Sequence, residues 1–118
     1  MGTRTKARLQ AQVKTTIASE ASPEHGVFGK GTVALLHGVE EFGSLNRAAK
    51  ELGMAYSKAW TLIRDVEANF GVQLLDRDGA RGSQVTEEGK RLIAVYDVVA
   101  AKTADFAAEL FEQEIARR

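Results

Sequence analysis

The sequence predicts a mainly α-helical fold with a small β component: a winged helix-turn-helix with an N-terminal strand and a long C-terminal helix. Three observations lead there. Ala49, Gly53 and Ala59 place small residues where two short helices would cross, with a glycine at the corner between them; close crossings need small side chains, and such a corner needs a residue that accepts positive φ. Residues 72–86 then read as two short apolar pieces around a glycine-bracketed loop, the pattern of a hairpin. From 87 to 116 the apolar residues recur at helical spacing without a break.

Taken in order, residues 7–18 alternate, with Leu9, Ala11, Val13, Thr15 and Ile17 on one face and Arg8, Gln10, Gln12, Lys14 and Thr16 on the other. A period of two predicts a half-buried strand. The polar stretch 19–26 holds the only proline and reads as a loop. A three-helix core is expected over 31–70. The first helix uses Val33, Leu36 and Val39 and ends at Gly43; Ser44 caps the second, which buries Leu45, Ala48, Ala49 and Leu52. The third, roughly 55–69, turns Ala59, Leu62, Ile63 and Val66 inward. A wing follows over 72–86. Thr86 is a suitable N-cap for the last helix, and Glu87 and Glu88 suit the positive end of its dipole.

The last helix carries Leu92, Val95, Tyr96, Val99, Phe106, Leu110 and Phe111, more apolar surface than one small domain covers. Leu92, Val99 and Phe106 recur at seven, with Tyr96, Thr103 and Leu110 as a companion row. Such a seam is best buried against a copy of itself. Its first half is expected to pack on the three-helix core, and Val99, Thr103, Phe106 and Leu110 to form a homodimer interface.

The 118 residues suffice for one domain with one core. There is no cysteine, so thiol nucleophiles, disulfides and thiolate metal sites are excluded, and two histidines give little basis for a metal centre or a catalytic triad. The glycines of 26–31 lack the Gly-Lys-Ser/Thr ending of a phosphate loop, and Asp76 and Asp78 read as turn residues. No nucleophile, base and orienting group come together, so neither an enzyme nor a cofactor is expected. No apolar run approaches the roughly 20 residues of a membrane span, and the N-terminus lacks the apolar centre of a signal peptide, which predicts a cytoplasmic protein.

Net charge is zero, but its distribution is uneven. Residues 1–14 hold Arg4, Lys6, Arg8 and Lys14 with no acid, and 44–64 hold Arg47, Lys50, Lys58 and Arg64 against Glu51 alone. The far end of the last helix is acidic. The outward face of the third helix carries Ser57, Lys58, Thr61 and Arg64. On a helix that enters a major groove about 12 Å wide, hydroxyls reach bases or phosphates and an arginine can pair with guanine. These four are the candidate readers of double-stranded DNA, with Tyr56 as a phosphate contact and Arg81 at the wing tip as a minor-groove or phosphate contact. Trp60 is expected to be partly buried.

With these residues in place, the chain resembles the N-terminal DNA-binding domain of the molybdate-responsive ModE-type bacterial regulators. GSLNRAAKELGMAYSKAW and TEEGKRLIAVYD are the specific stretches. More distantly, GSLNRAAKELG, LLDRDG and VTEEGKRL resemble the winged helix-turn-helix of LysR-type regulators. The resemblance implies a third helix in the major groove, through Ser57, Lys58, Thr61 and Arg64, and two subunits joined by the long helix. The chain departs from the ModE-type pattern in a shorter wing and in Ala55, which stands where a capping serine is expected, a loss of roughly 1 kcal/mol. With no room for a sensor domain, oxyanion sensing is not expected to carry over. Two alternatives to a DNA-reading regulator stay open: a protein-interaction module that touches no DNA, and a regulator that holds an oxyanion between subunits.

Overall fold

Glycines and side-chain oxygens set where the helices begin and end. In the computed structural model, which describes residues 4–77 and 82–118, α1 spans Lys30–Phe42 and stops at Gly43, whose φ of 80° lets the chain turn left-handed. Ser44 then opens α2, Leu45–Glu51, its hydroxyl accepting from the Arg47 N–H at 3.1 Å. Gly53, at φ 66°, makes the corner into α3, Tyr56–Phe70. No side chain caps α3, because Ala55 occupies the cap position. The wing consists of β1, Leu75–Arg77, and β2, Ser83–Val85, antiparallel with Leu75 opposite Val85. Thr86 caps α4, Glu87–Arg117, by accepting from the Gly89 N–H at 3.0 Å.

The core lies among α1, α2, α3 and the base of the wing. Phe28, Leu35, Leu36, Leu45, Ile63 and Leu74 are fully enclosed there. Burying each such side chain contributes about 1.5–3 kcal/mol. The α1–α2 crossing is close at Gly38, where an added Cβ would stand 2.7 Å from the Ala48 Cβ. Ala49 and Ala59, picked out in the sequence for the helix-turn-helix crossing, are both buried. Of α4, Ile93 and Tyr96 join the core, and the Tyr96 ring meets Phe28 edge to face at 6.1 Å. Beyond Ala100 the helix leaves the core and extends the molecule to 60 Å along its long axis. It is the first half of α4 that packs on the three-helix core.

Hydrogen bonds from neighbouring elements hold the wing. Glu67 on α3 accepts from the N–H of Leu74 at 2.7 Å and of Leu75 at 3.4 Å. Thr86 donates its hydroxyl to the Gln73 carbonyl at 2.6 Å, and the Ser83 N–H donates to the Gly43 carbonyl at 3.0 Å. The last contact depends on Gly82, at φ 94°, since a Cβ there would collide with the Gly43 oxygen.

The strand expected over 7–18 does not form within the chain. Ile17 pairs with Phe28 in an isolated bridge, with N–H···O distances of 2.8 and 2.9 Å. Among the described residues, no backbone hydrogen bond joins residues 4–16 to any other segment. The alternation specifies a face, but a ladder also needs a neighbouring backbone, and the adjacent element is the helix α4. Thr15 meets Thr103 at 3.5 Å between hydroxyl oxygens, and Arg8–Ala11 lie beside Ala108, Phe111 and Glu112. The segment thus runs along α4 toward the helix's C-terminal end.

Candidate nucleic-acid interface

The helical period puts Ala59, Ile63 and Val66 of α3 into the core and leaves the opposite side in solvent. Tyr56, Ser57, Lys58, Thr61 and Arg64 are all exposed, so the five α3 residues predicted from sequence form one accessible face. Thr61 donates its hydroxyl to the Ser57 carbonyl at 3.0 Å, an i–4 back-bond that orients it along the helix. Trp60 is partly buried, as expected, with the Tyr56 ring edge-on at 6.2 Å and the Arg64 guanidinium 5.7 Å over its face. That cation–π contact limits the directions in which Arg64 can project. Lys58 makes no ion pair among the described residues, so its charge is available to an incoming anion.

A shallow cleft of about 350 Å³ separates α3 from the wing, lined by Trp60, Arg64, Glu67, Gln73, Leu75 and Asp76. Sequence reasoning missed Glu67 and Gln73 here. Glu67 lies on the third helix with no sequence signal of its role, because its partners at Leu74 and Leu75 are met only after the chain turns at Gly71. Arg81, the predicted wing-tip contact, lies outside the described residues. On α2, Arg47 stacks over the Phe42 ring at 5.0 Å and adds positive charge on the preceding helix.

The predicted interface residues Val99, Thr103, Phe106 and Leu110 are all exposed on α4. Phe106 is 66% exposed, high for a phenylalanine. Thr103 turns its hydroxyl onto the Val99 carbonyl at 2.7 Å. Among the described residues no cluster of three His, Asp or Glu side chains could hold a metal ion, and no helix is long and apolar enough to cross a membrane.

A helix-turn-helix with an exposed polar third helix, a wing behind it and a long trailing helix defines a class of bacterial regulatory protein. Residues 32–90 match the bacterial regulatory helix-turn-helix proteins of the lysR family, and the chain belongs to that family. It is 35% identical over 72 residues to the transcriptional regulator ModE of Yersinia pestis, covering 58% of this chain and 27% of that protein. Identity to the molybdenum transport protein ModE of Azotobacter vinelandii is 37% over 70 residues, covering 54% and 25% respectively. The chain therefore spans about a quarter of the length of the curated relatives it matches. The matched family is one of regulatory proteins and the Yersinia pestis relative is a transcriptional regulator, a non-enzymatic class. The fold matches that of the BenM_DBD/catB site 1 DNA complex with a TM-score of 0.56 and 21% identity, over 74% of this chain and 92% of that one. It also matches the CbnR_DBD–DNA complex with a TM-score of 0.51 and 24% identity, over 73% and 93%.

Proposed function

We propose that this chain is the DNA-reading part of a bacterial transcriptional regulator, acting in the cytoplasm as a homodimer on double-stranded DNA. In this reading α3 enters the major groove, with Ser57, Lys58, Thr61 and Arg64 toward base edges and phosphates and Tyr56 toward the backbone. Arg81 approaches the duplex from the wing. The observation that carries the reading is the exposed face of α3, where Tyr56, Ser57, Lys58, Thr61 and Arg64 point outward with Asp65 as the acid among them, while Ala59, Ile63 and Val66 point inward. Two copies joined through α4 would present two such helices to an inverted repeat, one or more helical turns apart.

The test is selection of bound sequences from a random DNA pool, followed by gel-shift titration of the selected site. Lys58→Ala with Arg64→Ala should abolish specific retardation while leaving the helical circular dichroism unchanged. Lys58→Ala alone should weaken all sequences alike and reduce the slope of log K against log salt by about 1, the signature of one lost phosphate contact. Undiminished binding by the double variant would remove α3 from the role of reader. No retention of any DNA at low ionic strength would favour a protein-interaction module instead.

A further inference from the structure

The N-terminal segment has three properties that one copy of the chain leaves unresolved. First, residues 4–16 offer an open edge of backbone donors and acceptors, with no backbone pairing among the described residues. Second, Leu9 and Val13 are 67% and 50% exposed, although they share the alternation of Ala11, Thr15 and Ile17, which are half-buried. Leu9 lies beside Ala108, Phe111 and Glu112 of α4, a helix on which Val99, Phe106, Leu110 and Ile115 are also exposed. Third, the segment is basic, the far end of α4 is acidic, and the two sets of charges do not pair. Arg4, Lys6, Arg8 and Lys14 make no ion pair among the described residues, and neither do Asp105, Glu109 and Glu112 on α4. Arg8 and Glu112 even line one cleft of about 310 Å³ without pairing.

A twofold dimer repeats one patch on both subunits, so the patch must complement itself. A basic strand beside an acidic helix meets that condition, because rotation by 180° brings each sign opposite the other. Two uniformly apolar or like-charged faces would give no such register. We propose that the N-terminal segment is the second half of the homodimer interface: each arm lies across the partner copy's α4, Leu9 and Val13 covering its exposed apolar row and the arm's cations facing its acidic end. This rests on the homodimer reading above and adds to it which segment covers α4 and in what register.

Sedimentation of the whole chain over a concentration series tests it, using variants outside the core. Leu9→Asp with Val13→Asp should raise the dimer dissociation constant at least about tenfold, a cost of about 1.4 kcal/mol, with helical circular dichroism unchanged. Arg8→Glu alone and Glu112→Arg alone should each weaken self-association, since each places like charges opposite one another in its own homodimer. Mixing these two single variants should restore dimers, because both contacts then join opposite charges across the interface. A contact made within one chain would stay mismatched in the mixture, so failure to restore overturns the proposal. If Phe106→Asp breaks the dimer but the Leu9 and Val13 variant does not, α4 joins the subunits and the arm takes no part. If the unaltered chain sediments as a monomer throughout, the homodimer reading fails along with this one.

Discussion

Thr86 links the wing to α4 through one oxygen, and removing that oxygen should be felt in both. The hydroxyl accepts from the Gly89 N–H at 3.0 Å, capping α4, and donates to the Gln73 carbonyl at 2.6 Å, closing the wing base. Loss of an N-cap costs about 1 kcal/mol and loss of a neutral hydrogen bond about another 1, so Thr86→Val should destabilise by about 2 kcal/mol. For 118 residues at about 2.1 cal/mol/K each, the unfolding entropy is about 0.25 kcal/mol/K, which makes the fall in Tm about 8 °C. Thr86→Ser keeps the oxygen and should lose less than half as much. Thermal unfolding followed by circular dichroism, at one fixed protein concentration because self-association shifts Tm, separates the two. Equal losses for valine and serine would show that the methyl group contributes as much as the hydroxyl, against the assignment of the effect to the two hydrogen bonds. A loss below about 0.5 kcal/mol for valine would mean that water replaces both bonds and that Thr86 joins nothing.

Two further substitutions test the helical frame. Ala55 already has the extended backbone of a cap residue, at φ −62° and ψ 141°, so Ala55→Ser should cap α3 and raise Tm by about 4 °C, for a gain of about 1 kcal/mol; an unchanged melting curve would show that the first turn of α3 gains nothing from a side-chain acceptor. Gly38→Ala would force a Cβ to 2.7 Å from that of Ala48. The expected overpacking cost of about 1–3 kcal/mol outweighs a helix-propensity gain of at most about 1. Chemical denaturation should therefore show a lower midpoint, and adding Ala48→Gly should recover part of it; no recovery would place the strain elsewhere.

The features legible in the sequence are those decided within a few residues. Ser44 and Thr86 are caps because a hydroxyl three residues before a free N–H reaches it whatever the tertiary context. The outward face of α3 followed from the helical period, which needs only that Ala59, Ile63 and Val66 be inside. What escaped depended on elements meeting in space. Glu67 on the wing base, Gly38 against Ala48 and the His37–Asp97 contact at 3.1 Å between α1 and α4 carry no local signal. The N-terminal stretch shows the same boundary from the other side. Its alternation reports which side chains share a face, but nothing in it says whether a pairing backbone stands alongside, and among the described residues none does before Ile17.

The carboxylate of Glu67 has a consequence for how α3 meets a duplex. It belongs to the helix that would sit in the groove, yet it holds the two N–H groups from which the wing departs. In the proposed role, helix and wing would therefore approach DNA as one unit, their mutual angle set before contact. Little conformational freedom is left to lose when they dock, which favours affinity. The same stiffness moves the burden of fitting onto the nucleic acid. A duplex whose groove spacing or bend does not suit that fixed angle would be rejected even at base pairs that no side chain touches. Selectivity at such positions would then be a property of one glutamate buttress, and loosening it should broaden the range of sites accepted.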